Sequence, residues 1–184
     1  MRKLSVFNFI TLNGFYKGIN EDISWHNHGG EEAKFSEEGA QSESILLFGR
    51  KTYEMMYSFW PTPQAYESFP VVAEGMNKSQ KIVVSKTLDK AEWNNTTVLK
   101  GNLAEEIKIL KQQPGNNITI LGSGSIVTQL AEAGLIDKYL FMIDPVAIGE
   151  GTSAFRGIDH NLKLKLADSR VFKSGVILLT YEPQ

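Results

Sequence analysis

The apolar residues of this chain fall into short unbroken runs separated by helical stretches, and they alternate strictly only near the end. Residues 4–12 read as a first strand, closed by Asn13-Gly14. Residues 44–48 (Ser-Ile-Leu-Leu-Phe) and 81–85 (Lys-Ile-Val-Val-Ser) are continuous apolar runs of strand length, as expected of strands covered on both faces. Residues 96–99, 118–121 and 138–144 read as three more strands. Residues 30–44 are polar with Ala33, Phe35 and Ala40 interspersed, and Glu31 and Glu32 come early, where carboxylates favour a helix start. A short helix is expected over residues 51–58, and residues 61–70, with Pro61, Pro63 and Pro70, read as a loop. Leu103, Ile107 and Leu110 recur at helical spacing and are closed by Pro114-Gly115. Ile126, Leu130 and Ala133 mark a last helix, ended by Gly134.

The tail has a different period. Leu162, Leu164 and Leu166 alternate with Lys163, Lys165 and Ala167, which predicts a strand with one wet face. Val171-Phe172, Lys173-Ser174-Gly175 and residues 176–181 then read as a β-hairpin. Strand and helix therefore alternate over the first two-thirds, implying parallel pairing through crossover helices, and the last third adds an antiparallel edge. No repeat, low-complexity segment or linker divides the chain, so residues 1–184 are read as a single α/β domain.

Composition narrows the chemistry more than the fold. With no cysteine, the chain has no disulfide, thiolate metal site or Cys nucleophile. Nineteen Lys+Arg against twenty-one Asp+Glu give a net charge of −2, which supplies no bulk attraction to nucleic acid or an anionic membrane. Neither partner is expected. Asn8, Thr11 and Asn13 interrupt the apolar stretch after Met1-Arg2-Lys3, so it reads as a strand and not as a signal peptide. No run approaches the roughly 18 apolar residues of a membrane span, and a cytoplasmic protein is expected.

Three turns that follow buried strands carry groups suited to phosphate or ribose: Gly49-Arg50-Lys51-Thr52, Ser85-Lys86-Thr87 and Gly122-Ser123-Gly124-Ser125. In open α/β sheets ligands bind beyond the carboxyl ends of the strands, where helix starts present free N–H groups. Gly122 and Gly124 leave room for a pyrophosphate to approach the backbone. The Gly-Ser-Gly turn is not the full dinucleotide fingerprint, because position 127 is Val and no acidic residue follows at the required distance. Arg50 offers a planar fork for a 2′-phosphate, which favours NADP over NAD.

Thr11-Leu12-Asn13-Gly14-Phe15, Gly49-Arg50-Lys51-Thr52-Tyr53-Glu54, Val83-Val84-Ser85 and Leu121-Gly122-Ser123-Gly124 together resemble dihydrofolate reductase. Gly134-Leu135-Ile136-Asp137-Lys138-Tyr139 and Pro145-Val146-Ala147-Ile148-Gly149-Glu150-Gly151 are most similar to the reductase domain of riboflavin-biosynthesis proteins. The resemblance implies a mixed, mostly parallel sheet of about eight strands with flanking helices and a C-terminal antiparallel hairpin. It also implies NADPH as cofactor, held by Gly49, Arg50, Lys51, Thr52, Ser85, Lys86, Thr87, Gly122, Ser123, Gly124 and Ser125. The substrate would be a small molecule, with the riboflavin intermediate (a ribosylaminouracil phosphate) the one it makes most available. Asn13, Phe15, Trp25, Phe35 and Phe141 are the implied substrate contacts, and a homodimer joined after residue 160 is the implied assembly.

The same resemblance places a carboxylate on the first helix four residues before an aromatic. Glu31 stands four before Phe35 and is the candidate proton donor, with Glu32 and Asp22 behind it. Both glutamates fit helix-start electrostatics equally well. A folate reductase would carry a basic residue where this chain has Ser79 and a hydroxyl where it has Phe141. Two alternatives stay open: a dihydrofolate or pterin reductase, and a non-catalytic NADP-binding or structural domain. His26 and His28 bracket Asn27 beside Trp25; they are expected on an exposed loop, and no metal site is expected.

Overall fold

The apolar runs pair into one eight-stranded sheet in a computed structural model that describes all of residues 1–184. In chain order the elements are β1 (Leu4–Thr11), β2 (Phe15–Lys17), α1 (Gly30–Ala40), β3 (Ile45–Gly49), α2 (Arg50–Phe59), α3 (Pro63–Ser68), α4 (Pro70–Lys78) and β4 (Lys81–Val84). They continue with β5 (Thr96–Leu99), α5 (Leu103–Gln112), β6 (Ile118–Leu121), α6 (Gly124–Glu132), β7 (Lys138–Asp144), β8 (Thr152–Ser153), β9 (Leu164–Val171) and β10 (Ile177–Pro183). The sheet order is β5-β4-β3-β6-β1-β7-β10-β9, and β2 pairs with β8 in a separate two-stranded ribbon. Every pair from β5 to β7 is parallel, whereas β10 runs antiparallel to both β7 and β9.

The continuous apolar runs are explained by helices on both faces. Ile45 and Leu47 of β3 join Leu4, Val6, Ile118 and Ile120 against Leu103 and Ile107 of α5 and Ile126 and Leu130 of α6. Leu46 and Phe48 point the other way, onto Tyr53, Met76 and Trp93. Leu47 is wholly buried, so truncating it to Ala costs about 2–5 kcal/mol in lost transfer energy and cavity. A third cluster joins Met142, Phe172, Val176 and Leu178 to Phe7, Phe9 and Phe35, and it seats α1 under β1 and β7.

Two expectations change. The Pro-rich segment holds α3 and then α4 where a loop was expected. Thr62 Oγ1 caps α3 by accepting from Ala65 N at 3.3 Å, and Pro63 and Pro70 stand at the helix starts, where a missing N–H costs nothing. The alternating tail does become a strand, but β9 buries neither face. It is the sheet edge with no helix over it, and Leu166 and Val171 are 50% and 72% exposed.

Candidate active site

The carboxyl ends of β3 and β6 lie side by side, and each runs straight into a helix. Gly49 ends β3 and Arg50 begins α2; Gly122-Ser123 follows β6 and Gly124 begins α6. Gly122 and Ser123 both adopt left-handed backbone, at φ 62° and 57°, which reverses the chain within two residues. Ser123 is 6% exposed, and its hydroxyl is spent across the gap, accepting from Gly49 N at 2.8 Å. That bond ties the two helix starts together and leaves α6 without a side-chain cap; α2 has none either. First-turn amides without a cap are ready-made donors for an anion, reinforced by the helix dipole.

A cleft of about 770 Å³ opens beside these starts. It brings together Gly49, Arg50, Ser85, Lys86 and Ser125 of the three expected turns, and adds Lys100, Asn102, Thr128, Gln129 and Glu132. Arg50, Lys86 and Lys100 line it with Glu132, and of these Lys100 is already paired, its Nζ donating to Asp89 Oδ1 at 3.1 Å. Arg50 is held only loosely, with Nε 3.8 Å from Glu54. Lys51, Thr52, Thr87, Gly122, Ser123 and Gly124 shape the turns without lining this cleft. Thr52 packs on Gly122, and the Tyr16 ring lies so close over Gly124 that a Cβ there would sit 2.9 Å from it. Ser85 Oγ accepts from Leu88 N at 3.0 Å, bracing its own loop. Another depression of about 540 Å³, with Lys3, Asp137 and Glu182, opens at the amino ends of β1, β6 and β7, where parallel strands do not gather helix starts.

One strand further along lies Asn8 of β1, one residue past the Phe7–Leu121 pair and so level with Gly122. It is 4% exposed, and neither its Nδ2 nor its Oδ1 has a hydrogen-bond partner. A sealed, unpartnered carboxamide is a costly group to keep beside an empty-handed helix start.

At the ends of β1 and β7, Thr11 pairs with Asp144. Asp144 is 2% exposed, and its Oδ2 lies 2.8 Å from His26 Nδ1. Asn27 N donates to its other oxygen at 3.3 Å. The His26 ring stacks on Phe9, with centroids 3.6 Å apart and planes 15° from parallel. His28 meets His26 edge-on at 4.6 Å. Desolvation and the neighbouring His26 lower the His28 pKa from the ordinary histidine value, against an opposing pull from Asp144. The expectation of an exposed loop is therefore wrong for His26, which is 5% exposed. Its partner lies 118 residues away, so nothing in the local sequence signalled the pair.

The remaining expected residues divide. Glu31 Oε2 accepts from Lys173 N at 2.9 Å, and the buried Glu32 accepts from Ser174 Oγ. Both carboxylates thus fasten α1 to the β9–β10 turn. Asp22 is spent on Ser24 N at 3.0 Å, and that N–H holds its pKa below the ordinary value. Phe141 is core, stacked on Tyr139 on the α6 side, and Phe35 packs between Phe7 and Phe172. Asn13 braces the 146–148 loop through Ile148 O at 2.8 Å, and Phe15 sits in the β2–β8 ribbon. Trp25 Nε1 donates to Asp22 O at 3.2 Å, which leaves the ring beside His26.

A mostly parallel eight-stranded sheet, with helix starts gathered at one edge and an antiparallel C-terminal hairpin, defines a dihydrofolate reductase-like domain. The chain belongs to the RibD C-terminal domain family, which matches residues 2–178. It is 28% identical over 172 residues to the uncharacterized protein YyaP of Bacillus subtilis (strain 168), covering 94% of this chain and 90% of that protein. It is 24% identical over 178 residues to YwjB of the same strain, also uncharacterized, covering 96% of each. Among solved structures it resembles a putative riboflavin biosynthesis protein from Shewanella sp. PV-4, with a TM-score of 0.75 at 20% identity over 99% of each chain. A pyrimidine reductase-like protein from Corynebacterium diphtheriae gives 0.67 at 13% identity, over 100% of this chain and 92% of that one. Those two likenesses show the fold.

Proposed function

We propose that this protein is an NADPH-dependent reductase of the riboflavin-biosynthesis type, transferring hydride to a small heterocyclic or carbonyl metabolite. The observation that carries the reading is the pair of uncapped helix starts tied by the Gly49 N–H to Ser123 Oγ bond, beside Arg50, Lys86 and Lys100. These groups fit the phosphates of a dinucleotide: free amides for a pyrophosphate and a guanidinium fork for a 2′-phosphate. A reduced nicotinamide, when bound, supplies the hydride. The chain's own part is to grip the phosphates with Arg50 and the α2 and α6 amides, and to wall the reacting end with residues 10–15 and the Gly122–Ser125 turn. Glu31 and Glu32 each give one oxygen to the hairpin, accepting from Lys173 N and Ser174 Oγ, which favours a structural role for both over that of proton donor.

The family and the putative riboflavin biosynthesis neighbour favour a ribosylaminouracil phosphate as substrate. A screen of NADPH oxidation, followed at the nicotinamide absorbance, with aminouracils, pteridines and dihydrofolate tests this. Turnover confined to aminouracils supports the reading, and turnover confined to pteridines transfers the protein to the folate side. No helix is long and apolar enough to cross a membrane, and we assign the protein to the cytoplasm. The open β9 edge, with Leu166 and Val171 exposed beside Ile177 of β10, is the surface we assign to homodimerisation. Sedimentation as a monomer at micromolar concentration would remove that assignment.

A further inference from the structure

The His26–Asp144 pair has the form of a working group more than of core filler. Two polar side chains, 1% and 3% exposed, meet at the carboxyl end of a strand pair, the edge where α/β sheets place their ligands. Three contacts fix the imidazole: Asp144 Oδ2 at Nδ1, Phe9 stacked on one face and His28 against an edge. Nε2 is different. It makes no hydrogen bond inside the chain, in a side chain of which only 1% reaches solvent. An imidazole anchored at one nitrogen and unpartnered at the other is the arrangement in which a carboxylate sets the tautomer and the second nitrogen does the chemistry.

Position supports the same conclusion. Along the sheet, β6 carries the uncapped α6 start, β1 is its neighbour, and β7 ends in Asp144. Two strand spacings across the sheet and three residues along it, about 10 Å each way, separate the Gly122 turn from Asp144. A dinucleotide with its phosphates at β3 and β6 would extend its reacting end towards β1 and β7. The ionisable groups that face the ring are Asp144 from β7 and His28 from the same loop; Phe9 of β1 and Trp25 supply its apolar walls.

We infer that His26, oriented by Asp144, is the catalytic proton donor of this protein and takes a substrate carbonyl oxygen or imine nitrogen at Nε2. The inference rests on the reductase reading above. As the hydride from reduced nicotinamide reaches the substrate carbon, the C=O or C=N π bond breaks and its electron pair takes the proton from Nε2–H. The substrate is reduced by two electrons, the nicotinamide is oxidised, and the imidazolium becomes the neutral tautomer with Nδ1–H donated to Asp144. Solvent then restores the proton at Nε2 once the product has left. Asp144 stays a carboxylate throughout and acts as a positioning residue.

The test uses the full-length protein with an aminouracil or carbonyl substrate found by the oxidation screen. Tryptophan fluorescence gives the NADPH Kd separately from turnover. His26→Ala is expected to bind NADPH within threefold of wild type while kcat falls about 10²–10⁴-fold, the range of general-acid contributions. Added imidazole should restore part of that loss with saturation, which loss of a merely structural residue would not allow. His26→Gln, which keeps a polar side chain against Asp144, guards against a folding defect; it should match wild type in melting temperature to within a few degrees and remain slow. Asp144→Asn should lower kcat without raising the NADPH Kd. If His26→Gln folds, binds NADPH and turns over within threefold of wild type, the proton-donor role is overturned while the reductase reading stands. If wild type itself binds no NADPH, the reductase reading falls, and this inference falls with it.

Discussion

Asn8 offers the sharpest physical test because its side chain is buried, polar and unpartnered at both ends. Leu has the same branched outline, so Asn8→Leu replaces the two amide heteroatoms with methyl groups and leaves the shape nearly unchanged. An unsatisfied buried donor or acceptor costs about 1–3 kcal/mol. Removing both should gain the lower part of the combined sum, since two methyl groups are slightly larger and β1 is flanked by strands on both sides. A gain of about 2 kcal/mol, at the roughly 2–4 °C per kcal/mol of a domain this size, raises the melting temperature by about 4–8 °C. Thermal unfolding followed by circular dichroism reads it, and urea unfolding should show a higher midpoint at unchanged slope. Because the carboxamide stands level with the Gly122 turn, the stabilised variant should also bind NADPH more weakly than wild type. An unchanged or lowered melting temperature refutes the reasoning, for it would mean that the carboxamide is already satisfied in the unliganded protein.

Other consequences follow from single groups. Arg50→Ala should weaken NADPH by about tenfold or more while leaving NADH within twofold, if the guanidinium makes a charge-assisted bond to the 2′-phosphate worth roughly 1.5–3 kcal/mol; equal losses would reject that contact. The ammonium of Lys81, 1% exposed, donates to the carbonyls of Met76, Asn77 and Ser79, and burial pushes its pKa down to about 8 from 10.5. The unfolded chain therefore holds the extra proton between those values, so stability rises with pH across about 8 to 10.5 by at most roughly 3 kcal/mol. Lys81→Met should flatten that slope and unfold more readily below pH 8, where three carbonyls lose their donor. Glu32→Gln, which weakens the α1 link to Ser174, should destabilise by about 1–3 kcal/mol without altering the NADPH Kd. A changed Kd there would return Glu32 to the site.

Much of this fold was written in local pattern. Continuous runs such as residues 45–48 require covered strands, Gly134 and Pro114-Gly115 stop helices, and period two marked the C-terminal edge. The turns at the ends of β3 and β6 were legible for the same reason, since a strand, a glycine turn and a helix start are neighbours in sequence. Three things were not legible. Pro63 and Pro70 start helices as readily as they end them, and only packing against α1 and the core distinguishes the cases. The tail's alternation promised a buried face that depends on what covers β9, a tertiary matter. His26 gave no local sign, because its meaning comes from Asp144 at the end of a different strand. Glu31 differs in the opposite sense: its spacing to Phe35 was legible, but its bond to Lys173 N on the distant hairpin was not.

Titration of the wild-type protein with NADPH and, separately, NADH, read by tryptophan fluorescence and melting temperature, tests the central claim most directly. Ligand at one hundred times its Kd stabilises a binding protein by about 2.7 kcal/mol. The account predicts saturable quenching with NADPH, a melting temperature raised by about 5–11 °C at that excess, and weaker binding of NADH. No change in fluorescence or melting temperature at millimolar NADPH would contradict it.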